Sequence, residues 1–158
     1  MPEPRSPLTT CLRPEDHGAP PGADAALRLS ARPAGSLIQL AGFGDFAKAA
    51  AAALSGLGFD GLGDYRTVQR SGAASCFRIA PDKLWIHQPD DDQPKTSRDA
   101  FDTARTPSLD LSHARWLIDI EGPAAEDMMA RLAALDFSPA AFPNGTFSQT
   151  GIHHSGVL

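Results

Sequence analysis

Asp110 to Gly151 reads DLSHARWLIDIEGPAAEDMMARLAALDFSPAAFPNGTFSQTG, and each piece of it ends where the next must begin. From Asp110 to Glu121 the pattern predicts a strand. Trp116, Ile118 and Ile120 fall on one side and Arg115, Asp119 and Glu121 on the other, the two-residue period of a pleated chain. Gly122 stops it. Pro123 suits the first position of a helix, where its missing N–H had no partner to lose. Glu126 and Asp127 then favour the positive end of the helix dipole. Ala125, Met128, Met129 and Leu132 form one apolar stripe at i, i+3, i+4 and i+7. The helix is expected to finish near Leu135, with a Pro-Gly loop behind it and a further strand beginning between Phe147 and Ile152.

Working outward, Leu27, Leu29 and Ala31 alternate with Arg28, Ser30 and Arg32 and predict a short strand. Pro33 and Gly35 turn the chain, and Ser36 to Ala41 reads as a second strand. Gly42 and Gly44 break it. Asp45 is placed to cap an alanine-rich helix from Phe46 to about Leu57. Gly56 to Tyr65 reads as a loop. Cys76–Ile79 and Lys83–His87, separated by Ala80-Pro81-Asp82, predict a hairpin about a φ-locked proline. Pro89 to Ser97 reads as solvated loop, with Thr96 or Ser97 capping a short helix that runs through Arg105 and stops at Pro107. The order β-β-α-β-β-α-β-α-β fits an α+β class, a mostly antiparallel sheet with helices packed on one face.

Residues 1–26 carry six prolines before position 26 and few large apolar side chains. They are expected to form an arm, flexible or laid across a partner. Residues 27–158 are expected to form a single domain. With 158 residues the chain is long enough for a real core. A net charge of −5 and no Lys/Arg run argue against nucleic acid as a partner. No apolar run approaches the roughly 18 residues needed to span a bilayer, and the N-terminus has no secretory h-region. The two cysteines, Cys11 and Cys76, are too few for a disulfide framework and belong to no zinc pattern. These features point to a cytoplasmic protein with reduced thiols.

Several residues suggest chemistry in isolation. Gly56 to Gly61, GLGFDG, matches the dinucleotide pattern GxGxxG, but a helix precedes it and a loop follows, the reverse of the required context. Gly42 to Ala47, GFGDFA, follows a strand and opens a helix. There, Asp45 would set a carboxylate where a pyrophosphate must lie. Asp110, Ser112 and His113 supply the residue types of a hydrolase triad, yet along one strand they diverge. Asp110 or Ser112 is expected to bond nearby backbone instead. His153 and His154 diverge in the same way, and no third ligand is near in sequence. His17 and His87 stand alone. Asp90-Asp91-Asp92 reads as solvated loop, and the Met128/Met129 pair as core. No catalytic, cofactor-binding or metal-binding residue is assigned. Trp85, Trp116 and the Phe142-Pro143 loop are expected to be structural anchors or interface elements.

Four motifs, in order, resemble the gamma subunit of heterotetrameric sarcosine oxidase. Ala80-Pro81-Asp82-Lys83-Leu84-Trp85-Ile86 resembles that family's G-P-D-E-W-L-L, and Asp110-Leu111-Ser112-His113 its D-V-S-H. Ile120-Glu121-Gly122-Pro123 resembles its L-S-G-P strand end. Ala141-Phe142-Pro143-Asn144-Gly145, with Gln149-Thr150, resembles its A-F-P-x-G and x-T. The D-V-S-H and G-P pair is shared with the aminomethyltransferase (glycine-cleavage T-protein) superfamily. The resemblance implies a T-protein-like fold and a cofactor-free structural subunit, partnered by alpha, beta and delta subunits. The complex would oxidatively demethylate sarcosine or a related N-methyl amino acid. FAD, FMN, NAD, zinc and tetrahydrofolate would then lie in the partner subunits. Family members continue beyond the Q-T strand, so this chain is expected to be C-terminally short. The competing expectation is a stand-alone folate-binding, aminomethyltransferase-like protein, although the acidic catalytic motif of true aminomethyltransferases has no counterpart here. A third is a nucleotide-binding enzyme built on Gly42 to Ala47.

Overall fold

The computed structural model describes residues 27–89, 101 and 106–158. The expected arm at 1–26, with Cys11 and His17, lies outside them, as do Asp90-Asp91-Asp92 and most of the helix expected through Arg105. The chain is α+β with antiparallel sheets. The described residues divide into two compact units.

The larger unit runs from Ala34 to Ala114 and adds Gly145–Ser148. Its strands are β2 (Ser36–Ala41), β3 (Gln69–Ser71), β4 (Ala74–Ala80), β5 (Lys83–Gln88) and β6 (Ser108–Asp110). They form one sheet in the order β3-β4-β5-β2-β6, every pair antiparallel. The register places Ile38 opposite Ile86 and Leu40 opposite Leu84, with Cys76 opposite Ile86 on the far side. These five side chains are buried on one face. Helix α1 (Phe46–Gly56) covers that face with Phe46, Ala50 and Leu54, spaced four residues apart, and Phe59 and Phe101 complete the core. On the opposite face a row crosses the sheet through Leu109, Gln39, Trp85 and Phe77. There the Trp85 Nε1–H donates to Gln39 Oε1 at 3.0 Å, and Phe77 meets Phe147 edge-on at 5.3 Å.

The bounds expected for the second strand and the start of α1 match those observed. The capping expectation does not. Asp45 occupies the N-cap position, but its side chain makes no cap hydrogen bond. Its backbone carbonyl accepts from Lys48 and Ala49, as any residue's would. At the other end, Gly58 N–H bonds Ser55 O and Phe59 N–H bonds Leu54 O, each at 3.0 Å. Gly58 takes φ +82. That is the paired-bond, left-handed helix stop in which the residue beyond the glycine packs back on the last turn. Phe59 and Leu54 share the core, so Gly56 to Gly61 is a helix terminus, as its context implied.

The smaller unit holds residues 27–33, Arg115–Asn144 and Gln149–Leu158. Strands β1 (Arg28–Pro33) and β7 (Trp116–Glu121) make a two-stranded antiparallel ribbon. Opposite residues share a face. One face therefore gathers Leu29, Ala31 and Pro33 with Trp116, Ile118 and Ile120. On the other face Arg32 Nε pairs with Asp119 Oδ2 at 2.9 Å. Helix α2 (Ala125–Leu132) begins two residues after Pro123, with Ala124 at the N-cap, and ends before Leu135. Glu126 and Asp127 do lie in its first turn, and Arg131 bonds Asp127 one turn back at 2.7 Å. Strands β8 (Thr150–Ile152) and β9 (Ser155–Val157) form a hairpin.

Burial in this unit is sparse. Among its described residues Ala133 alone is buried. The stripe Ala125, Met128, Met129 and Leu132 is half-buried rather than core. Trp116 is also half-buried, and Ile118 beside it is 54% exposed.

The single strand expected from Asp110 to Glu121 is a correction. β6 ends at Asp110, a turn occupies the next residues, and β7 begins at Trp116 in a different sheet. Among the described residues no helix is long and apolar enough to cross a membrane.

Candidate functional site

The turn that splits the expected strand is built by the residues that looked most like chemistry. Asp110 Oδ1 accepts the Ser112 N–H at 2.9 Å, a carboxylate bonding backbone two residues on. Ser112 Oγ accepts the Leu37 N–H at 3.0 Å. The Leu111 N–H donates to Leu37 O at 2.8 Å, and the Ala114 N–H to Leu111 O. Leu37 thus has both backbone groups held by this turn, one residue inside the interior strand β2. Asp110 bonds nearby backbone, as expected, whereas the backbone that Ser112 bonds is distant in sequence. His113 is exposed and is not joined to them.

His153 and His154 are not strand residues. Ile152 pairs with Ser155, so the two histidines are the whole connection between β8 and β9. Both are exposed, and His153 takes φ +52. His87 Nε2 lies 2.6 Å from Ala34 O and ties β5 to the turn that leads into β2. Among the described residues no group of three His, Cys, Asp or Glu side chains is placed to hold a metal. In Gly42 to Ala47, Gly42 is required by close approach: a Cβ there would come within 2.7 Å of the buried Phe46 ring.

A shallow cleft of about 380 Å³ opens beside the loop after α1, between Asp60, Gly63, Asp64 and Arg70. Asp64 dominates it. Oδ1 accepts the N–H groups of Arg66 at 2.8 Å and Thr67 at 2.5 Å, and Oδ2 accepts the Thr67 hydroxyl at 2.9 Å. The Arg66 amide first, then the Thr67 amide and hydroxyl, hold this carboxyl below its usual range. Arg78 braces the same loop, with Nη1 donating to Gly63 O at 3.2 Å and the guanidinium 4.7 Å from the Tyr65 ring centre. The cleft gathers polar groups, but Asp64 is committed to three donors that shape the loop. Nothing in the sequence singled out Asp64. Its signal would have been the Asp-x-x-Thr spacing of a local side-chain turn.

Cys76 lies in the core, 1% exposed. Burial pushes its thiol up from 9.0 to about 12. Trp85 is half-buried and bonded to Gln39 across the sheet, and Phe142 lies 5.3 Å from Phe137.

No family model and no curated protein matches the chain. Among solved structures, a chain of the heterotetrameric sarcosine oxidase from Corynebacterium sp. U-96, in complex with pyrrole 2-carboxylate, has the same fold. The TM-score is 0.68 over 87% of this chain and 70% of that one, at 21% sequence identity.

Two outcomes test these assignments. Ser112→Ala leaves the Leu37 amide without its acceptor and is expected to cost about 1–3 kcal/mol in urea denaturation; a change near zero would show the bond to be dispensable. Cys76 is expected to resist alkylation at neutral pH until the protein unfolds, read by peptide mapping. Its folded thiol titrates above the unfolded one. Its contribution to stability is therefore complete below about pH 9 and is lost as pH rises toward about 12.

Proposed function

We propose that this chain is a non-catalytic, gamma-type subunit of a sarcosine-oxidase-like complex. In this reading the complex oxidatively demethylates sarcosine or a related N-methyl amino acid in the cytoplasm. Its flavins (FAD and FMN), NAD, zinc and tetrahydrofolate reside in alpha, beta and delta partners. The observation that carries the reading is the apolar face of the β1–β7 ribbon. Six apolar side chains line it, none of them buried, and Ile118 is 54% exposed. A unit that fully buries only Ala133 among its described residues gains little against the entropy of ordering its chain. A contiguous apolar face of this kind marks a protein–protein contact.

Two further points support it. The fold is that of a chain from a heterotetrameric oxidase, and the two coverages make that chain only somewhat longer than this one, the size of a small subunit. The family-like motifs also have structural work. Ala80-Pro81-Asp82 turns β4 into β5, and Asp110-Leu111-Ser112-His113 makes the turn that holds Leu37.

The test is co-expression with the alpha, beta and delta subunits that this reading requires. The chain is expected to co-purify in fixed ratio. Ile118→Asp is expected to weaken that association while changing the isolated chain's stability by less than about 0.5 kcal/mol, since the side chain is already largely in water. Failure of the unaltered chain to associate would overturn the reading. So would micromolar tetrahydrofolate binding by the isolated chain, which would favour the stand-alone folate protein.

A further inference from the structure

We propose that the Asn144–Gly145 peptide is a self-modification site, where the asparagine converts through a cyclic imide to aspartate and isoaspartate. Asn144 is the chain's only asparagine, and a glycine follows it. Both residues are exposed, in a turn. Among the described residues neither the Asn144 side chain nor the Gly145 N–H has a hydrogen-bond partner. Gly145 takes φ +85, and no atom lies within 4 Å of where its Cβ would be. The reaction needs these conditions together: an amide N–H free to lose its proton, an unhindered nitrogen, and a side-chain carbonyl free to approach it.

The chemistry balances with water alone. Solvent base removes the Gly145 N–H proton, and that nitrogen attacks Asn144 Cγ. The new C–N bond closes a five-membered ring, and the side-chain nitrogen departs as ammonia. Water then opens the ring. Attack at Cγ restores a normal main chain with aspartate at 144. Attack at the main-chain carbonyl routes the backbone through the side chain and adds one methylene to it.

The added methylene falls immediately before an anchored segment. Gly145 O accepts the Val68 N–H at 2.8 Å, Arg66 O accepts the Phe147 N–H at 2.7 Å, and Thr146 bridges to Thr67. Phe147, 7% exposed, follows two residues later against Phe77. Formation of isoaspartate would shift the Gly145 carbonyl and loosen this attachment, and either product adds one negative charge.

The full chain is incubated for days at mildly alkaline pH, beside a synthetic peptide spanning residues 139–149. Each is digested and mapped by mass spectrometry, with isoaspartyl methyltransferase labelling to separate the two products. The Asn144 peptide is expected to gain the mass difference between amide and acid, faster as pH rises, and to take up methyl label. Asn144→Gln is expected to abolish the mass gain, because the corresponding six-membered ring closes far more slowly. Asp60-Gly61 can also isomerise, but without a mass change, so the mass shift reads Asn144 alone. An Asn144 that stays intact in the folded chain while the peptide converts overturns the proposal, as does a peptide that fails to convert.

Discussion

The grip of Ser112 and Leu111 on Leu37 is the constraint on which the larger unit depends. β2 is the strand between β5 and β6, and it carries Ile38 and Leu40 into the core. Its start is held by three bonds from two elements, β5 and the turn after β6. His87 lies against the Ala34 carbonyl, Ser112 accepts the Leu37 amide, and Leu37 in turn accepts from Leu111. A buried amide left without a partner costs more than the bond it loses is worth on average. The turn at Asp110–Ala114 therefore fixes where β2 begins, and with it the register that sets Leu40 opposite Leu84. A slip of one residue would turn every core side chain to the wrong face.

The same turn explains why residues that look catalytic are better understood as architecture. Asp110 orders the turn and Ser112 closes the end of the strand. Asp64 does the equivalent for the loop after α1, holding Arg66 and Thr67 so that the chain enters β3 in register with β4. Both carboxylates bond backbone N–H groups, the commonest use of a polar side chain that follows an irregular stretch. The polar chemistry described in this turn and loop is spent on holding a sheet together.

Much of the larger unit was legible in the sequence because its signals are local. β2 announces itself by Ser36 to Ala41, α1 by its alanines, and the β4–β5 hairpin by Pro81. What misled was also local. Asp110 to Glu121 alternates well enough to read as one strand. It is divided by the bonds to Leu37, some 75 residues away in sequence, which no window can contain. β3 and β9 are three residues each and exist only through their partners. The His153-His154 turn lacks the glycine or asparagine that marks a two-residue hairpin. The apolar stripe of α2 was legible as a stripe. That it would stay half-buried was not, because burial is a property of what covers a face.

The two units thus differ in how they are stabilised. One has a helix-covered sheet with a closed core. The other is a ribbon, a short helix and a hairpin with one buried alanine among its described residues, and in the proposed reading a partner subunit supplies much of its stability. Hydrogen exchange of the β1 and β7 amides, measured on the isolated chain and on the proposed complex, tests this most directly. The account predicts that these amides exchange rapidly in isolation and become strongly protected on assembly, while those of β2, β4 and β5 change little. Equal protection of the ribbon in both states would contradict it.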